Sequence, residues 1–240
     1  MTNNLWKIAG ASLAALAFAT ACGGETPAPV EPTPVAETPA PPPGPDYASF
    51  VASTGRIADD MAKEGKLHAS LANLQSLPER YAQVQLRKAR IYRQLGRPEA
   101  GPLYQGLLST CLSAEGNHGL GQLAAGAGDN ALAVSYLERA AQMAPTDDKI
   151  RNDLGVVYLN QLQLDKARFE FLTALELKQS DSLAALNLVT LLIYQDQWSE
   201  AAELVTRAQL SPEQVSDAQA RAQALKTQAR PTSNQVAAIK

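Results

Sequence analysis

The chain has little with which to perform covalent chemistry. Its 240 residues include two cysteines, Cys22 and Cys111, and two histidines, His68 and His118. No cluster of His, Cys and acid has metal-ligand spacing, so no metal or other cofactor is expected. Cys111 and His118 lie seven residues apart, which could place them on one helical face. A loop expected near Gly116 would interrupt that face, and no third group is evident to orient a base. Cys111 is therefore read as a small core thiol and His118 as a polar groove residue. Gly119, Gly121, Gly126 and Gly128 superficially suggest a phosphate-cradling loop, but no strand precedes them. Neither enzymatic activity nor a small-molecule substrate is expected. Basic blocks are absent too: 21 basic residues face 24 acidic ones. That balance argues against nucleic acid or an anionic membrane face as the main partner. No segment alternates with a period of two, so no sheet is expected.

The first 21 residues read as a secretory signal. Lys7 is followed by the mostly apolar stretch Ile8 to Phe18, then by Ala19-Thr20-Ala21. Those 11 apolar residues would cross only about half of a bilayer core, which needs roughly 20. Ala19-Thr20-Ala21-Cys22 resembles a bacterial lipobox, departing from it at Ala19, where Leu is usual. That resemblance implies an acylated Cys22 as the new amino terminus, and Gly23 after it implies an outer-membrane destination. Residues 23 to 46 hold nine prolines, the acids Glu25, Glu31, Glu37 and Asp46, and no basic residue. Such a segment cannot bury enough apolar surface to offset its ordering entropy, and proline favours an extended chain. It is read as a disordered spacer. With Cys22 lipidated, Cys111 is the remaining cysteine and no intrachain disulfide can form.

What the chain does have is repetition at a step of 34 residues. Leu120-Gly121 returns as Leu154-Gly155; Ala133 as Ala167 and Ala201; Leu137 as Phe171 and Val205; Ala140 as Ala174 and Ala208. Period and residue types resemble tetratricopeptide helix pairs, which stack into a solenoid. The fold class is accordingly all-α, a tetratricopeptide-type helix-pair solenoid behind a signal peptide and a disordered proline-rich tether. The boundaries are a lipoprotein signal at 1–21, lipidated cysteine and linker at 22–46, and degenerate helical repeats at 47–113. Three good repeats follow at 114–210, then a capping helix at 211–229 and a flexible tail at 230–240. Ile57, Met61, Gly65, Leu71 and Leu74 outline one degenerate repeat; Tyr92, Gly96, Ala100 and Tyr104 outline a second with slipped spacing. Trp198 is expected at a turn, packed between helices. Ser211-Pro212-Glu213-Gln214 reads as a capped helix start.

The concave face of such a solenoid is built from the first helix of each repeat. Repeat geometry puts Glu115, His118 and Gln122 there, then Lys149, Asn152 and Val156, then Leu183, Leu186, Asn187 and Thr190. This set lacks the full Lys/Arg and Asn pattern of modules that clamp a peptide's terminal carboxylate. An extended or helical segment of another protein suits the groove better.

One block is the most specific: Asp148-Lys149-Ile150-Arg151-Asn152-Asp153-Leu154-Gly155, followed by Ala167-Arg168-Phe169-Glu170-Phe171-Leu172-Thr173-Ala174-Leu175-Glu176-Leu177. Together with the order of lipobox, tether, degenerate pairs and good repeats, it resembles the TadD family, tetratricopeptide lipoproteins of tight-adherence (Tad/Flp) pilus systems. The resemblance implies a lipid-anchored assembly factor on the periplasmic face of the outer membrane. Its protein partners would be a pilus secretin or accessory subunits. A type IV pilotin-like lipoprotein, or an adaptor for cell-wall synthesis or hydrolysis enzymes, would use the same parts.

Overall fold

The computed structural model describes residues 45–180 and 182–229. The expected signal segment, Cys22, the linker as far as residue 44 and the tail from residue 230 lie outside them. Among the described residues the chain forms eleven α-helices and no strand. They run as successive pairs: α1 (Pro45–Lys63) with α2 (Leu67–Gln75), α3 (Ala82–Gln94) with α4 (Ala100–Leu107), and α5 (Ser113–Gly126) with α6 (Asn130–Met143). Then come α7 (Asp148–Asn160) with α8 (Leu164–Leu177), α9 (Ser182–Tyr194) with α10 (Trp198–Arg207), and a final α11 (Pro212–Gln228). The first helix takes in Pro45 and Asp46, which the sequence pattern places in the linker. Proline is well tolerated in a first helical turn.

Each pair turns through one residue with positive φ: Gly65, Gly96, Gly128, Leu162 and Asp196. These positions are separated by 31, 32, 34 and 34 residues. The slippage upstream is thus a shortening of the first two pairs by two or three residues, with the helix-turn-helix unit retained. A small residue follows each turn where the second helix meets the first. It is Ser70, Ala100, Ala133, Ala167 or Ala201, all buried. Ser70 offsets its polarity by donating its hydroxyl to the Ala58 carbonyl at 2.6 Å.

Large side chains fill the next seam position: Leu74, Tyr104, Leu137 and Phe171 are each at most 1% exposed. Glycine makes room for three of them, Gly119 lying against the Tyr104 ring. A Cβ on Gly121 would stand 2.6 Å from Leu137 Cγ, and one on Gly155 would stand 2.6 Å from Phe171 Cε1. The buried apolar residues fall into three clusters, over α1–α3, over α3–α5, and from α5 to α11. Tyr92 packs against both of the upstream clusters and joins them.

Three local expectations are corrected. Gly116 lies inside α5, buried, and no loop interrupts that helix; a Cβ there would meet the Tyr104 carbonyl at 2.9 Å. Cys111 is exposed, in the connection before α5, and is no part of the core. Trp198 opens α10 and is 54% exposed. The seam beyond that turn is closed by Ala201 and Leu204, so the indole stays outside.

The last helix keeps the 34-residue register. Ala218, Ala222 and Leu225 repeat the buried positions Ala184, Leu188 and Leu191. It is therefore the first helix of a further repeat whose second helix is missing among the described residues. Ser211 caps it with a complete capping box: its hydroxyl accepts from Gln214 N and Gln214 Oε1 accepts from Ser211 N.

Candidate functional site: a polar ladder along the inner face

The inner face is formed by α5, α7, α9 and α11, and a chain of side-chain hydrogen bonds links all four. His118 Nε2 on α5 lies 2.7 Å from Asp153 Oδ2 on α7, and Gln122 donates to the same oxygen at 2.7 Å. Asn152 donates to the other carboxylate oxygen of Asp153 at 3.3 Å. Asn187 on α9 donates to Asn152 Oδ1 at 2.8 Å, and Arg221 on α11 donates to Asn187 Oδ1 at 2.9 Å. Four of the residues expected on this face, His118, Gln122, Asn152 and Asn187, are thus brought together.

The ladder is buried where it crosses between helices, with Asn152 and Asn187 each 3% exposed. A buried amide left unpaired is costly, so each link fixes the register of one helix pair against the next. Burial alone would raise the Asp153 pKa. The hydrogen bond and charge of His118, with the bonds from Gln122 and Asn152, outweigh it and hold the carboxyl below its ordinary value. Arg221 lies at the other end, where burial pushes its guanidinium pKa down. Its hydrogen-bond partners are amide oxygens, of Asn187 and, at 3.5 Å, Asn160.

The remaining expected residues divide into two kinds. Val156 and Leu186 pack against the core, and Thr190 is buried with its hydroxyl turned back to the Leu186 carbonyl. Glu115 and Lys149 line an open groove at the upstream end of the face, and Leu183 is 55% exposed toward the other end. Asp153 and Arg221 escape the sequence reading, yet both are detectable in principle, because Asp153, Asn187 and Arg221 follow one another at 34-residue steps.

Two further links join α7 to the second helices on either side of it, α6 and α8. Tyr158 donates to Glu138 at 2.6 Å, and Arg151 pairs with Glu170 at 3.0 Å. Burial, then the bond to Glu138 and its charge, raise the Tyr158 pKa.

Stacked helix pairs with a continuous inner surface define the class: a helical-repeat scaffold that holds other proteins. Residues 124–192 match the tetratricopeptide-repeat family model, and the helix pairs have the tetratricopeptide-type solenoid fold. It is 47% identical over 163 residues to the TPR repeat-containing protein PA4299 of Pseudomonas aeruginosa. That alignment covers 68% of this chain and 66% of the relative, just under two thirds of its length. Among solved structures, Pseudomonas aeruginosa pilF superposes with a TM-score of 0.60 at 16% identity, over 81% of this chain and all of the other. TTC0263, a thermophilic TPR protein of Thermus thermophilus, gives 0.57 at 19% identity, covering 74% and 99%. At these identities both likenesses speak for the fold.

Proposed function

We propose that the chain is a non-enzymatic scaffold, lipid-anchored at the periplasmic face of the outer membrane, that binds protein to assist assembly of a Tad/Flp-type pilus secretin or its accessory machinery. The observation that carries the scaffold part is the inner face itself, a groove leading into a hydrogen-bonded surface shared by four helices. His118, the histidine of that face, has its role in holding Asp153 and so in joining α5 to α7. Support for the anchor comes from the lipobox-like Ala19 to Cys22 and the acidic, proline-rich segment behind it. The pilus assignment rests on the resemblance of the block beginning at Asp148 to the TadD family. In this reading the lipid keeps the scaffold where the channel must insert, the tether gives it reach, and the groove captures the client.

The test is in-cell crosslinking and affinity purification through a carboxy-terminal tag, with captured proteins identified by mass spectrometry. Recovery of a secretin and pilus subunits supports the proposal. Recovery of cell-wall enzymes without any pilus component overturns its pilus part.

A further inference from the structure

A second groove, of about 550 Å³, lies between the second helices α8 and α10, and none of its lining residues belongs to the polar ladder. Its apolar lining is Leu172, Leu175, Leu204 and Ala208. The 34-residue register explains its presence. One repeat earlier, Tyr158 of α7 donates to Glu138 on α6 and Arg151 pairs with Glu170 on α8, so long polar side chains tie the first helix to both second helices. The equivalents of Tyr158 and Arg151 on α9 are Leu192 and Ala185, both buried and too short to make those links. Their former partners Glu138 and Glu170 are replaced by Leu172 and Leu204. Arg168 binds Gln195 at 2.7 Å and Glu200 of α10 at 3.4 Å, which ties α8 and α10 together near their starts. The groove lies toward their other ends.

Nothing in the fold covers it. Leu172 is 42% exposed, and Phe169, one turn before it, is 63% exposed. Residues three apart share a helix face, so the apolar surface continues out of the groove along α8. One charge of each sign borders it, Glu176 on α8 and Arg207 on α10. Both are exposed, and neither has a side-chain hydrogen bond or ion pair among the described residues.

We infer that this groove is a second docking surface, which takes an amphipathic helix of a protein partner, its apolar stripe flanked by a base toward Glu176 and an acid toward Arg207. A helix satisfies its own backbone, whereas an extended segment would set its N–H and C=O groups against helices whose backbone groups are already paired. A lipid chain would match the leucines but leave both charges without a partner. The surface adds to the scaffold and does not depend on what the inner face binds.

The test measures fluorescence anisotropy of a labelled, alanine-rich helical peptide added to the full chain. The peptide carries leucines at i, i+3 and i+7, with one lysine and one glutamate on opposite sides of that stripe. It should bind, and a counterpart with glutamine in place of each leucine should not. Leu172→Gln, at an exposed position where folding is not at stake, should weaken binding by at least about fivefold. Arg207→Glu should weaken it by about fivefold, and replacing the peptide's glutamate with lysine should restore it. The double variant L172E/L192Y rebuilds the Glu138–Tyr158 link one repeat on, and should abolish binding while keeping the parent's Tm. No binding of the leucine peptide, equal binding of its glutamine counterpart, or binding unchanged in Leu172→Gln overturns the inference. It also falls if the parent chain self-associates in sedimentation and Leu172→Gln dissociates it, since the occupant is then a second copy. Binding of phosphatidylethanolamine–phosphatidylglycerol vesicles that is lost in Leu172→Gln overturns it in favour of lipid.

Discussion

Asn187 is a relay between two helices that are not adjacent in sequence. It donates to Asn152 on α7 at 2.8 Å and accepts from Arg221 on α11 at 2.9 Å. Replacing it with leucine keeps the volume but leaves the Asn152 oxygen and the Arg221 guanidinium without their main partner. We expect Asn187→Leu to destabilise the chain by about 1–3 kcal/mol, read as a lower Tm in thermal denaturation. An unchanged Tm would mean that the ladder does not couple α9 to its neighbours.

Gly155 meets Phe171 where α7 packs on α8. A Cβ there would sit 2.6 Å from the ring, so Gly155→Leu should cost about 1–3 kcal/mol through overpacking. Trimming the opposing ring should relieve the clash. The double variant Gly155→Ala with Phe171→Leu is expected to lose less stability than the sum of its single changes, measured by denaturant unfolding of the parent, both single variants and the double.

Leu162 turns α7 into α8 with φ of 57°, where three other pairs of the fold use glycine. A non-glycine residue in this left-handed conformation costs about 1–2 kcal/mol. The Leu162 side chain is 37% exposed, so removing it forfeits some packing that offsets part of the gain. Leu162→Gly should therefore leave stability unchanged or raise it by up to about 1 kcal/mol, visible as a Tm at or above the parent's. A clear fall would show that the side chain is a necessary contact.

Asp153 makes stability depend on acid. Its folded pKa is depressed, so the unfolded chain binds more protons and stability falls as pH falls. The contribution is complete above the ordinary aspartate value of about 3.9 and disappears as pH drops below it through the folded value. Tm measured against pH should drop more steeply for the parent than for Asp153→Asn in that window. At neutral pH the variant should be the less stable of the two.

Much of the architecture is legible because helix pairs pack by rule. A small residue after the turn and a large one four residues on must recur wherever two helices meet, so Ala133 and Leu137 foretell Ala167 and Phe171. The upstream pairs obey the same rule, but their turns come at intervals of 31 and 32 residues, which hides the equivalence of Tyr104 with Leu137. Trp198 misleads for another reason. A large aromatic side chain suggests burial, yet the seam beyond its turn is already filled by Ala201 and Leu204. Asp153 is missed by one position: repeat geometry points its neighbour Asn152 at the groove, while the carboxylate beside it gathers three hydrogen bonds.

The half-repeat at the end of the array bears on how copies of the chain meet one another. An array of helix pairs that stopped at α10 would present the apolar seam of α9, complementary to the first helix of another such array. Head-to-tail contacts of that kind grow into open filaments wherever the rotation between copies does not close a ring. Here α11 occupies the seat that an incoming copy would need, and Glu213, Asp217, Gln219 and Gln223 are exposed on it. Among the described residues the array thus ends on a polar face, and the apolar side of α9 is already covered from within the same molecule.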